Sequence, residues 1–288
     1  MNESRHLGKS SPTPRTYDPE ILVAVPREEN RKIYGIDDKK PPFTGVDVWH
    51  AYECSFLTNK GLPVAGILKI CYRSDSPFIV ESKSLKLYLN ALNMESFGET
   101  PEEAEKTVIL TVEKDLEALL STPVAAYFFR KEKHYEAAFD HFEMLEELPG
   151  LEDQFFSEYK ETPELLEISV RGKETLKVAT RLLRSNCKIT HQPDWGSIYI
   201  HLKGKTTPDK IQLLKYIVSL RDENHFHEEI CEMVYKRLLD RFSPEKLMVT
   251  CIYARRGGID ICPSRASSPE MLPANLINPA KLTRTLLI

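Results

Sequence analysis

One stretch pairs a thiol with a carboxylate: SNCKITHQPDWGS at residues 185–197 holds Cys187 seven positions ahead of Asp194. A cysteine attacks as a thiolate, and Arg184, Asn186 and Lys188 are polar or cationic neighbours able to stabilise one. The competing reading is a small buried core residue, the more frequent role of a free cysteine. In an unbroken strand an interval of seven sends the two side chains to opposite faces. Pro193 argues against an unbroken strand, so Gln192-Pro193-Asp194 is expected to form a turn that returns the carboxylate towards the sulfur. On spacing alone, a turn or capping residue is the more frequent role for Asp194.

Three other clusters carry polar chemistry. Asn224-His225-Phe226-His227-Glu228-Glu229 opens a helix with carboxylates in its first turn, where the macrodipole stabilises them. Its histidines lack the i, i+4 spacing of a helical zinc pair, so no metal site is assigned. In ESKSLKLY at 81–88, Lys83 and Lys86 share a helix face and could hold a phosphate, although a solvated surface would look the same. Arg255-Arg256-Gly257-Gly258 sets two guanidinium groups beside a flexible turn, which is either an exposed hairpin turn or a close approach to phosphate.

Taken in order along the chain, ESKSLKLY, SNCKITHQPDWGS, the FHE at 226–228 and the RRGGIDI at 255–261 resemble the NADPH-dependent 7-cyano-7-deazaguanine reductases of queuosine biosynthesis, in their long two-domain form. The resemblance implies two tandem tunnelling-fold domains, a homo-oligomer with a homodimer favoured, and reduction of a nitrile to a primary amine with NADPH. Cys187 would attack the nitrile carbon to give a covalent thioimide, and Asp194 would supply protons to nitrogen. The chemistry suits these residue types: a thiolate adds readily to a soft electrophile, and a nearby carboxylic acid can protonate the product. Reduction takes four electrons, hence two hydrides. Glu228 is the candidate for the substrate's guanine-like edge, because a carboxylate offers two acceptors to adjacent N–H groups. Ile79, Val80 and Glu81 match the family's other substrate-contacting segment, and His227 would lie over the base and assist proton transfer. Ser82, Lys83, Arg256 and Gly257 match its cofactor contacts. Cys262, in DICPSR, stands where a polar amide is expected. Two alternatives stay open: a zinc-dependent GTP cyclohydrolase of the same fold class, and a non-catalytic nucleobase- or RNA-binding module.

The elements that must position these residues can be read from periodicity. Val46, Val48, His50, Tyr52, Cys54 and Phe56 share one parity, and Thr58-Asn59-Lys60-Gly61 leads into an apolar run from Pro63, which predicts an antiparallel hairpin. A short strand at 78–80 and a helix over 84–90 follow. Thr100, Pro101 and Glu103 make a helix start, with Ile109, Val112, Leu116 and Leu119 as its apolar positions, and 124–129 reads as a strand. The order then repeats: strands at 176–183 and 198–202, a helix from Thr207-Pro208 burying Ile211, Leu214 and Val218, a second helix burying Ile230, Val234 and Leu238, and strands at 247–253 and 259–261. These elements predict an α+β fold with antiparallel sheets. The expected division is a flexible arm at 1–20, a first domain at 21–133, an acidic connection at 134–166 and a second domain at 167–288.

Composition limits the partners. With 288 residues, 41% hydrophobic, the chain can bury real cores. Its net charge of −4 gives no bulk attraction to nucleic acid. The longest apolar runs fall far short of the ~20 residues that span a bilayer, and the opening residues lack a signal peptide's apolar region, so a cytoplasmic protein without a membrane partner is expected. Six scattered cysteines with no C-x-x-C pair argue against a disulfide framework.

Overall fold

A computed structural model describes residue 14 and residues 16–131, 134–169 and 175–283. The first half contains β1 (Ala24–Pro26), α1 (Glu28–Ile33), β2 (Thr44–Leu57), β3 (Pro63–Arg73), β4 (Phe78–Val80), α2 (Ser82–Ala91), α3 (Pro101–Leu120) and β5 (Val124–Phe129). After β6 (Glu143–Met144) the second half contains β7 (Thr175–Cys187), β8 (Pro193–Lys203), α4 (Lys210–Ser219), β9 (Asn224–His225), α5 (His227–Phe242), β10 (Lys246–Tyr253), β11 (Ile259–Ala266) and α6 (Ala274–Ile277). The fold is α+β. One nine-stranded sheet runs in the order β5-β3-β2-β11-β10-β8-β7-β6, with β9 also on β7, while β1 and β4 form a separate ribbon. The two halves meet where β11 pairs with β2 along Ile259–Ala266.

Helices α2 to α5 cover one face of this sheet, and each half has its own apolar core between sheet and helices. The cores are shared at their edges. Ile259 and Ile261 of β11 pack into the first-half core, whereas Tyr34, Ile36 and Phe43 pack into that of the second half. The opposite face is covered by α6 and by residues such as Phe139 and Phe142.

Bulges reset the faces that simple alternation predicts. In β2 the register shifts between Ala51 and Cys54. An inserted residue inverts the parity beyond it, so Cys54 and Phe56 share the core with Trp49 and Ala51, while Val48 faces the other side. The single parity expected over 46–56 is therefore corrected. The equivalent shift in β7, between Thr180 and Leu183, sends Leu183 to the face of Leu176 and Val178.

Helix starts follow local chemistry. Thr100 caps α3 by accepting from the Glu103 N–H, but the Glu103 carboxylate returns to the Glu99 N–H and not to that of Thr100. The buried face of α3 is Ala104, Val108, Val112, Leu116 and Leu120, so Ile109 and Leu119 lie at its margin. Helix α4 begins later than Thr207-Pro208, because Asp209 is the N-cap and accepts from Ile211 and Gln212. Its deeply buried residues include Leu213, Leu214 and Ile217, and Ile211 is only half-buried. In α5, Ile230, Val234 and Leu238 are buried as expected.

The arm expected at 1–20 falls mostly outside the described residues. Its final part is anchored: the Tyr17 hydroxyl donates to Asp115 at 2.6 Å, as does that of Tyr88 at 2.7 Å. Behind the sheet junction, Arg27, Arg31, Asp47, Glu232 and Arg265 form a buried ionic cluster. Arg31 Nη2 donates to Glu232 at 2.8 Å and Arg265 Nη1 to Asp47 at 2.7 Å, which fastens α1 to α5 and β2 to β11.

Candidate active site

The ends of four elements converge on a cleft of about 810 Å³: the N-termini of α2 and α5, the β7–β8 turn and the β10–β11 turn. Val80, Ser82, Lys83, Cys187, Asp194, His227, Glu228, Arg256 and Gly257 all line it. Residues separated by up to 177 positions, Val80 to Gly257, thus share one cavity.

Cys187 ends β7 and Asp194 is the second residue of β8. The hairpin pairs Ser185 with Asp194 and Leu183 with Gly196. Two further residues along β7, Cys187 lies diagonal to Asp194 on the same face, which reconciles the odd spacing with a shared site. The reversal itself occupies residues 188–191, with His191 at φ 56°, and Pro193 opens the strand instead of forming the turn. Without the bulge at Thr180/Leu183, Cys187 would point away from the helices.

The sulfur's surroundings differ from those expected. Lys188 is 3.1 Å from Glu229, Arg184 donates to the Arg221 carbonyl, and Asn186 donates to Asp222 at 3.2 Å. These groups are committed elsewhere. Cys187, 8% exposed, instead packs with Val25, Ile79 and Phe226. Phe226 is the N-cap of α5, so the thiol packs against the residue that opens that helix.

Asp194 is buried between two partners. Arg256 Nη1 donates to its Oδ1, and His227 Nε2 stands 3.7 Å from its Oδ2. Arg256 also donates to the Gln192 side chain. Burial holds the His227 imidazole below its usual pKa; Asp194 opposes that shift and Arg256 adds to it. The ring meets Tyr253 edge-on, with centroids 4.1 Å apart.

Glu228 sits in the first turn of α5 at 2% exposure, and its Oε1 has no hydrogen-bond partner among the described residues. Burial pushes its pKa up to about 8; Asp47 adds to the rise and Arg27 opposes it. Glu81 is placed differently. It is the N-cap of α2, accepting from the Ser84 N–H, and does not line the cleft. Ile79 packs behind Cys187.

At the other end, Gly257 and Gly258 have φ of 58° and 78° between Arg256 and Ile259, whose backbones bond to each other: a two-residue hairpin turn that needs positive φ at both positions. A Cβ on Gly257 would collide with Lys86 Nζ. Lys86 also lines the cleft and has no hydrogen-bond or ion-pair partner among the described residues. Arg255 leaves this group and stacks on Tyr52, with its guanidinium carbon 3.4 Å from the ring centroid.

Sequence reasoning missed Trp49, Thr190, Gln192 and Phe226 as lining residues. Thr190, Gln192 and Phe226 carried a signal, because they lie inside the quoted motifs; Trp49 carried none. His225 is engaged by Tyr34 at 3.2 Å and by Glu229 at 3.3 Å. Among the described residues, three potential metal ligands gather only at His50, Asp260 and Cys262, where His50 Nδ1 is 2.7 Å from Asp260 and β11 runs unbroken through Cys262. That cluster is no part of the cleft lining.

Comparison with known proteins adds independent findings. The family model described as "Nitrile reductase, 7-cyano-7-deazaguanine-reductase N-term" matches residues 13–128, and that described as "QueF-like protein" matches residues 193–270. Three relatives named NADPH-dependent 7-cyano-7-deazaguanine reductase align over nearly the whole chain. That of Chromohalobacter salexigens is 40% identical over 280 residues, 95% of each chain. That of Coxiella burnetii is 37% identical over 276 residues, 96% of each chain. That of Hydrogenovibrio crunogenus is 37% identical over 269 residues, 92% of each chain.

Proposed function

The chain belongs to the family of NADPH-dependent 7-cyano-7-deazaguanine reductases, and on that premise we propose that its cleft reduces the nitrile by way of a thioimide on Cys187. It is an oxidoreductase that uses NADPH and acts on a small-molecule nitrile, 7-cyano-7-deazaguanine, yielding 7-aminomethyl-7-deazaguanine.

Cys187 adds to the nitrile carbon: an S–C bond forms, one C–N π bond breaks, and its electrons go to nitrogen, which takes a proton from Asp194. The apolar packing around Cys187 excludes water from the adduct. His227, kept neutral by burial, borders Asp194 and flanks the bound base. Glu228 accepts from the N–H and amino groups of the deazaguanine edge through the carboxylate it presents to the cleft lining. Val80 borders the same edge, while Ile79 and Glu81 fix the β4–α2 junction that holds it.

The residues at the opposite end fit NADPH. An unpartnered Lys86, the neighbouring Lys83 and Ser82, and a glycine turn whose positive φ favours glycine make a cationic cradle for phosphates. NADPH, when bound, supplies hydride to the carbon held on Cys187. The observation that carries the reading is the placement of Cys187 and Asp194 as same-face diagonal neighbours in this cleft. NADPH oxidation measured against amine formed tests the reaction: the reading requires two NADPH per amine, and one per amine would refute it.

Two tandem tunnelling-fold domains, at 21–133 and 167–288, joined by 134–166 and preceded by an arm at 1–20, are part of the same reading. Its support is the shared order of a bulged hairpin, two helices and a returning strand in each half. Action in the cytoplasm, without direct contact to nucleic acid or membrane, belongs to the same reading, as does assembly as a homodimer.

A further inference from the structure

We propose that Asn30 is a positioning residue for Glu228, acting through one water molecule held between them behind the cleft. The inference rests on the reading of Glu228 as the group that binds the deazaguanine edge.

Asn30 lies in α1, a short helix of charged and polar residues, yet it is only 2% exposed. Arg27, Asn30 and Arg31 are spaced i, i+3 and i+4, so they share the helix face turned to α5. The two arginines fix that face. Arg27 Nε donates to the Ser76 carbonyl at 3.0 Å, and Arg31 donates to Glu232 at 2.9 and 2.8 Å and to the Ser74 carbonyl at 2.7 Å. Asn30 is thereby carried, without freedom to swing away, to a void that it shares with Glu228.

This void measures about 10 Å³ and is lined by Pro26, Arg27, Asn30, Ile79, Glu228, Glu229 and Glu232. It accommodates one water and nothing larger. Two of the residues that line it each carry a buried polar atom with no hydrogen-bond partner among the described residues: Asn30 Nδ2, a donor, and Glu228 Oε1, an acceptor. A water that accepts from the first and donates to the second satisfies both. Glu228 lines the cleft as well as the void, and Asn30 lines only the void. Asn30 therefore cannot touch the substrate. It acts by orienting the Glu228 carboxylate from behind and by favouring its acceptor form.

The test is a double-mutant cycle. Affinity for 7-cyano-7-deazaguanine is measured by calorimetry on full-length protein in the Cys187→Ala background, with Asn30→Ala, Glu228→Gln and both together. Turnover of the same two substitutions is measured with Cys187 intact. The expected result is a loss of affinity on the order of tenfold for Asn30→Ala, which disappears when Glu228→Gln is already present, and a raised KM with kcat little changed. Asn30→Asp, which keeps the shape but removes the donor, should lose at least as much and decides the matter if Asn30→Ala does not fold. If Glu228→Gln weakens binding but the Asn30 variants do not, or weaken it equally in both backgrounds, the role given to Asn30 is wrong while that of Glu228 stands. If Glu228→Gln leaves affinity unchanged, the reading of Glu228 fails first and the inference with it.

Discussion

Arg256 donates from Nη1 to Asp194 Oδ1, so a residue matched to cofactor binding holds the residue assigned to proton supply. A phosphate arriving at the β10–β11 turn competes for the same guanidinium, which links the two ends of the cleft through one side chain.

Arg256→Gln should therefore raise the NADPH concentration needed for turnover by about tenfold or more, without slowing adduct formation on Cys187 in the absence of cofactor. Steady-state kinetics and rapid-mixing mass spectrometry separate the two effects. A parallel fall in adduct formation would make Arg256 a partner of Asp194 alone.

Asp194→Asn is nearly isosteric but cannot donate a carboxyl proton. Turnover should fall by ~10²–10⁴-fold while substrate affinity in the Cys187→Ala background changes little. A matching loss of affinity would mean that Asp194 binds the substrate rather than protonating it.

Glu228 gives a pH dependence of definite sign. Its pKa rises from 4.5 to about 8 on folding, mainly through burial. The folded state therefore retains a proton that the unfolded chain has released, and stability falls as pH rises from about 4.5 to about 8. Glu228→Gln removes this liability and should stabilise the protein relative to wild type by on the order of a few kcal/mol more near the upper end of that range than near the lower. Substrate affinity should rise over the same range, because the edge-binding form is the carboxylate. Denaturation and calorimetry as functions of pH check both, and flat profiles would contradict the assignment.

The ionic cluster predicts a structural cost. Asp47 is fully buried against Arg27 and Arg265. Asp47→Ala leaves the buried Arg27, Arg31 and Arg265 guanidinium groups to share the Glu232 carboxylate and should destabilise the fold by about 3–5 kcal/mol in chemical denaturation. A loss below about 1 kcal/mol would show that water or rearrangement replaces the carboxylate.

Strand and helix identities were legible because alternation, capping residues and turn glycines are local signals, as at Thr100-Pro101 and Gly257-Gly258. Facing was less so. The bulges at Ala51/Cys54 and Thr180/Leu183 leave no local signature, yet they decide that Phe56 enters the core and that Cys187 faces the cleft. Of the residues proposed for the site, those inside the four motifs could be named in advance. The companions of Cys187 could not, because Lys188 and Arg184 are drawn off by Glu229 and the Arg221 carbonyl, partners distant in sequence. Asn30 lies 198 positions before Glu228, and only the folded arrangement brings both to one void.

The most direct test of the account is the intact mass of the protein incubated with 7-cyano-7-deazaguanine and no NADPH. Addition of a thiolate to a nitrile expels no leaving group, so the mass should increase by that of the whole substrate, and Cys187→Ala should show no increase. An adduct that persists on Cys187→Ala, or the absence of any adduct on the wild-type chain, would contradict the thioimide on Cys187.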